Sequence, residues 1–573
     1  MLDLLAQGGT WAAGLPLLVV ETVLLCAALA GWGALVERAL VRGRQFDLFE
    51  RGVLGMAALY AVAVLLSLVT AYTPAVSSAV ILVGVGSCLY VTVRGRRWWQ
   101  WAVLGVLAIY FVGGVALTSL HYDTGLYHLQ VIRWFQAEPL PLGLANLHIR
   151  FGYNSAWFVL ASLLGASPLA PDGTFLLNGV LSVFVCGALL ARVWCGYRQR
   201  RVTFATLLAA VLVLTYLGTA FHSLFGWMGL APATDIPAAL LTIYAAVLAA
   251  SLIEDDSAAP DARLILAGAA ACLAVAVKLS QFPTALLVIL VALRLGLHRK
   301  PVWRKTLVVT GSAMVAVSGA WLLHSMMLSG CLLFPYGVSC VGCIPWSADP
   351  AQADRLARML KMWARVPKAG VAVPDGWAWI PLWLEYMWPD RTIIKWIAYW
   401  SAALAMLSLL FALFARRRAG QPVPAAGFAW CLGLGAAGIV LCAVTAPDPR
   451  YYLGYFFLLP GSLVARLYTG PWGRAGGGAR RGLGVAAALL LVAGAVHSMK
   501  DRFTVSHLDE PCCEWRALPA VPYHVETMPG GYAVKVPDQG DQCWDLPLPC
   551  TPSDQLNPNL RRKRVLGRTA FSR

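Results

Sequence analysis

The chain has 573 residues, 59% of them hydrophobic and 13% charged, and a mean hydropathy of +0.67. That composition excludes an ordinary soluble domain and makes the bilayer its solvent. The formal charge of +17 does not point to nucleic acid, because Lys and Arg fall in short clusters between apolar runs and not along one stripe.

Residues 1–10 lack the basic start of a secretory signal, and the apolar stretch that follows is too long for its hydrophobic region, so the first segment is expected to remain as a span. Runs long enough to cross about 30 Å of hydrocarbon predict spans at 12–37, 52–71, 76–94 and 100–119. Arg38, Arg42, Arg44 and Arg51 follow the first span and Arg94, Arg96 and Arg97 the third, which places these loops in the cytoplasm.

The next segment, 120–173, is expected outside. It opens with HYDTGLYHLQ at 121–130, a carboxylate and two histidines at the membrane boundary, where unpaired ionisable groups are costly. Asp123 is a candidate general base held near an acceptor hydroxyl, with His121 and His128 beside it. The competing reading makes Asp123 a helix N-cap. GLANLHIRFGYNS at 143–155 offers Asn146, His148, Arg150, Asn154 and Ser155, a set suited to a sugar or phosphate and equally to a polar loop. The apolar piece 156–164 is too short to span and is expected to lie at the outer interface, with Trp134, Phe135, Trp157 and Phe158 as aromatic anchors.

Spans follow at 174–195, 203–221, 234–253, 263–279, 282–297 and 306–327. Asp235, in ATDIP, stands at the outer mouth of the seventh, as a helix cap or as a carboxylate facing Asp123 in a metal site or an acid/base pair. Lys278, in VKLSQFP, either snorkels to headgroups or meets a lipid-linked phosphate. The outer loop 328–390 carries a basic amphipathic stretch at 354–368 and a Trp-rich one at 377–388, both read as surface lids.

The last spans are placed at 391–414, 426–444, 451–468 and 482–498, making fourteen, and every basic cluster then falls inside. Arg450, in TAPDPRYYLG, brings a guanidinium fork that suits phosphate oxygens or a pair with Asp448. Seven cysteines, Cys331, Cys340, Cys343, Cys512, Cys513, Cys543 and Cys550, fall outside, where disulfides persist. CVGC at 340–343 lacks a second matching pair for zinc, which favours a disulfide or separate bonds. QCWDLPLPC at 542–550 is expected to close a small disulfide loop between Cys543 and Cys550 on an outer cap. The chain has no Walker A motif, dinucleotide fingerprint or His-Glu-x-x-His pair, so ATP-driven transport and zincin proteolysis are poor fits.

The order of features from residue 100 onward resembles the GT-C superfamily of membrane glycosyltransferases: an acidic outer loop, a short helix ending in LLGASP, then a return span. The likeness continues in TDIP at 234–237, KLSQFP at 278–283, HSMMLSGCLLFPYG at 324–337, APDPRYYLG at 446–454 and GDQCWDLPLPCTP at 540–552. The resemblance implies an all-α polytopic bundle in a bacterial cytoplasmic membrane. It divides into accessory helices at 1–99, a catalytic membrane domain at 100–498 and an extracytoplasmic tail at 499–573.

It also implies transfer of a sugar from a polyprenyl-phosphate donor to a glycan, lipid or protein acceptor. Asp123 would be the base and Lys278 and Arg450 the phosphate ligands. His121, His128, Asn146, His148, Arg150, Asp235 and Tyr451 would orient the substrates. Many members place the acidic loop after the first span, whereas here three more helices precede it. The loop also lacks an acidic pair at Asp123, so a divalent metal would need Asp235. The alternatives are a transporter or flippase, against which no internal repeat is visible, and a polymerase of lipid-linked glycans.

Overall fold

The computed structural model describes residues 11–41, 46–94, 98–116, 120–199, 203–219, 230–255, 262–298, 303–367, 373–390, 426–469, 516–528, 531–557, 559–565 and 567–572. The chain begins with four long helices, α1 (Trp11–Leu40), α2 (Leu48–Ser67), α3 (Pro74–Arg94) and α4 (Trp98–Ala116). The segment 120–173 adds α5 (Leu129–Ala137) and α6 (Ala156–Gly165). Then come α7 (Gly173–Arg198), α8 (Phe204–Thr219), α9 (Asp235–Glu254), α10 (Arg263–Val277), α11 (Phe282–His298) and α12 (Arg304–Ser329). Helices α13 (Pro350–Arg365), α14 (Ile380–Asp390), α15 (Ala426–Val444) and α16 (Leu453–Thr469) are the last among the described residues.

Among the described residues, nine helices are long and apolar enough to cross a membrane: α1 to α4, α7, α9, α12, α15 and the stretch Leu279–Leu297 that includes α11. The expected spans at 203–221, 263–279 and 451–468 coincide with the shorter α8, α10 and α16. Those at 391–414 and 482–498 lie outside the described residues.

Close helix contacts rest on small residues. A Cβ at Gly55 of α2 would lie 1.8 Å from the Leu29 carbonyl oxygen of α1, so only glycine lets these backbones meet. The α1–α2 connection is locked by polar bonds. Asp47 and Glu50 form a reciprocal capping box, while Glu37 accepts from the Phe46 N–H at 2.5 Å and pairs with Arg51 at 2.6 Å. Helix α9 is buried along nearly its whole length, packed by α10, α15 and α16.

Two expectations change. Helix α6 does not lie on the protein surface, and the expected anchors are not exposed: residues 156–164 are all buried, against α2, α5, α7 and α10, and Trp134, Phe135, Trp157 and Phe158 are at most 2% exposed. The reason is compositional, since AWFVLASLLG has no polar face to turn to water. The fold is also not wholly helical. The tail forms two antiparallel hairpins, β1 (Tyr523–Thr527) with β2 (Ala533–Pro537) and β3 (Arg561–Val565) with β4 (Arg568–Ser572). Val534 and Val536 alternate inward on β2, and Gly531 and Gly567, at φ +78° and +76°, take the turn conformation that favours glycine.

Candidate functional site

Beyond α4 the chain passes His121 and Asp123 into a π-helical turn, Thr124–His128, closed by the Leu129 N–H donating to the Thr124 carbonyl. Asp123 occupies the N-cap position, yet its side chain makes no capping bond, so the competing reading of this residue is not realised. Its backbone N–H donates to Nδ1 of His121 at 3.1 Å. A nitrogen that accepts carries no proton, so the 3.7 Å approach of His121 Nδ1 to the Asp123 carboxylate joins a neutral ring to a carboxylate. Burial acts in the same direction, pulling His121 below the ordinary histidine range.

His128 is 3% exposed, and burial pushes it down to about 3. Its ring packs against Tyr127 (4.4 Å) and Phe158 (5.0 Å), and its Nδ1 has no hydrogen-bond partner among the described residues. Tyr153 lies 5.4 Å from Tyr127 ring to ring, with its buried side chain next to Arg150.

The second half of the site comes from helix breaks. Thr234 precedes α9 and Pro237 lies in its first turn, a position that proline's fixed φ suits. Asp235 does not cap this helix but pairs with the Lys278 ammonium. Lys278 ends α10 with an extended backbone, φ −154° and ψ 117°, where a tight turn at Leu279–Gln281 interrupts the apolar run before α11. Its nitrogen stands 4.0 Å from the Tyr451 ring centroid, and the Arg450 guanidinium carbon 4.8 Å from the same ring.

Arg450 donates to the Tyr451 hydroxyl at 2.9 Å and pairs with Asp448 at 3.0 Å, so the pairing weighed against a phosphate role is present. Ser280 and Gln281 side chains donate to the Tyr451 carbonyl at 2.9 and 3.0 Å and fix this turn to the α10–α11 break. His121 feels Asp123, Arg450, Asp235 and Lys278 together, so residues more than 300 positions apart in sequence share one electrostatic site.

A family described as a domain of unknown function, DUF8201, matches residues 17–457. The chain belongs to this family. No curated protein and no solved structure matches it. Asp123, Asp235, Lys278, Arg450 and Tyr451 all fall within the DUF8201 match.

Not every expected residue of the DUF8201 domain joins this cluster. Asn146 donates to the Trp346 and Phe571 carbonyls at 2.9 and 3.0 Å and ties the segment between α5 and α6 to the loop after α12 and to the tail. His148 is 1% exposed, stacks on Phe151 at 4.6 Å and accepts the Arg150 N–H at 3.1 Å; burial pushes it down to about 3. Arg150 lies within electrostatic reach of Tyr127 and Tyr153, at the edge of the Asp123 side of the site. Among the described residues no three His, Cys, Asp or Glu side chains gather in a metal-holding group, and Asp235 is engaged by Lys278.

Helical spacing sets Tyr127 beside Asp123, four residues on, whereas Tyr153 and Gln281 carry no such signal: Tyr153 sits in a polar loop far along the chain, and nothing in its spacing says that it meets Tyr127. The structure links Cys543 to Cys550 and pairs Cys340 with Cys331, leaving Cys343 exposed and outside a disulfide; Cys512 and Cys513 lie outside the described residues.

Proposed function

We propose that this DUF8201 protein is a membrane glycosyltransferase with fourteen spans in a bacterial cytoplasmic membrane. It transfers a sugar from a polyprenyl-phosphate donor to a glycan, lipid or protein acceptor on the extracytoplasmic face. The observation that carries this reading is the convergence of a carboxylate without a capping duty, Asp123, with two cations, Lys278 and Arg450, at one set of helix ends. With the basic loops read as cytoplasmic, the order of spans along the chain puts these ends on the extracytoplasmic side.

The acceptor hydroxyl gives its proton to Asp123 while its oxygen attacks the anomeric carbon. The bond from that carbon to the phosphate oxygen breaks, and the departing polyprenyl phosphate takes the electron pair. Attack opposite the leaving group inverts the anomeric centre. Lys278 spends one of its three N–H donors on Asp235, and Arg450 is held by Asp448 and Tyr451 as a fixed guanidinium, so both meet the growing phosphate charge with little reorganisation. Tyr127, Tyr153, His128 and Arg150 would line the sugar side.

The test is reconstitution of the full chain with a panel of polyprenyl-phosphate sugars, scoring polyprenyl phosphate release. Release with at least one donor that disappears in Asp123→Asn supports the reading. Movement of lipid-linked glycan across the bilayer without release would replace it with a flippase.

A further inference from the structure

The tail segment 541–550 grips the backbone on both sides of Asp123. Gln542 donates its side-chain N–H to the Tyr122 carbonyl at 2.7 Å, and Asp541 bonds the Tyr122 hydroxyl. On the other side the Trp544 N–H donates to the Gly125 carbonyl at 2.9 Å, inside the π-helical turn. Gln130, fully buried, returns two bonds from its side chain to the Trp544 and Leu546 carbonyls at 3.1 and 2.8 Å, and Arg133 pairs with Asp545.

Two features separate this contact from ordinary covering. Trp544 has φ +43°, the one positive φ outside glycine among the described residues, and such backbone persists only where its surroundings over-determine it. Its indole fills the space that a side chain at residue 125 would need, since a Cβ on Gly125 would fall 2.4 Å from the ring. The loop that holds Trp544 is closed by the Cys543–Cys550 disulfide and tied to β2 by the Lys535 N–H donating to Pro549 and the Thr551 N–H to Lys535.

We propose that Trp544, held by the Cys543–Cys550 loop, is a positioning residue of the site: it fixes the π-helical turn and thereby aims Asp123 and His128. The Asp123 side chain makes no capping bond and meets His121 Nδ1 at 3.7 Å, so its aim depends on the backbone of residues 121–125, which the tail holds on either side. The geometric part stands alone; the catalytic consequence rests on the proposed glycosyl transfer.

The test uses the full chain in lipid nanodiscs, with Trp544→Ala, Trp544→Phe and the double variant C543S/C550S. Hydrogen exchange across residues 121–134 should rise about tenfold in the Ala and double variants, stay near wild type in the Phe variant, and remain unchanged across 235–254. With the donor panel, Trp544→Ala should lower kcat with KM for the donor little changed, because Lys278 and Arg450 sit on other elements, and Trp544→Phe should restore it. Should Trp544→Ala not fold, Gln542→Ala removes only the bond to the Tyr122 carbonyl and should raise exchange within 121–125. No rise in exchange in any folded variant, or equal changes in kcat and KM unrelieved by Phe, overturns the proposal. Absence of transfer by the wild type would remove the proposed reaction, and the exchange comparison would still decide the positioning role.

Discussion

Asp123, Asp235 and Lys278 are carboxylates and an amine close to a hydrocarbon boundary, and each should answer to substitution in its own way. Asp123→Asn keeps the shape and loses proton acceptance, so kcat for sugar transfer is expected to fall about 10²–10⁴-fold with the apparent melting midpoint unchanged. Asp235 and Lys278 are different, since their side chains are only 9% and 20% exposed and paired. Lys278→Met removes the ion-pair partner of a buried carboxylate, leaving it only the more distant Arg450, and should cost about 3–5 kcal/mol, whereas the double variant D235N/K278M should recover most of that loss. Thermal unfolding of the two variants in detergent checks this; an equally damaging double variant would show that the pair is not the source. The phosphate role is then read from donor affinity in the double variant and in Arg450→Gln.

At the scale of elements, the segment 120–173 carries two buried histidines that burial pushes down to about 3, His128 and His148. An unfolded histidine titrates near 6.5. Between these values the unfolded chain binds more protons than the folded one, so stability rises with pH across the window and is lost as pH falls below about 6.5. Each histidine should contribute a slope of about 1.4 kcal/mol per pH unit there. His148→Asn keeps an oxygen to accept the Arg150 N–H and should flatten the acid slope between about pH 6 and 4 in melting experiments. Helix packing makes a separate prediction. Gly55→Val places carbon against the Leu29 carbonyl, and the loss of folded yield should correspond to at least about 1–3 kcal/mol.

For the whole molecule, sidedness is open to a direct chemical test. Cys343 in the loop between α12 and α13 and Cys195 near the basic end of α7 are both exposed and free of disulfides. A membrane-impermeant maleimide applied to intact cells should modify Cys343, and Cys195 only after permeabilisation, as mapped by peptide mass spectrometry. The reverse pattern would invert the topology and place the site in the cytoplasm.

What the sequence determined by itself was the medium, most helix positions and the polar segments that matter, because apolar length and basic clusters are local signals. Asp123, Asp235, Lys278 and Arg450 could be singled out for the same reason: an ionisable residue at the edge of an apolar run stands out wherever it lies. Tertiary structure decided the partnerships. It turned Asp235 to Lys278 and not to a cap, and sent Asn146 to the tail and not the site. It sank α6 into the core, where a helix apolar on every side is most stable, and set Tyr153 against Tyr127. The docking of Trp544 on Gly125 joins residues more than 400 positions apart, and no local pattern encodes a contact at that separation. It exists only once the helices between them have packed.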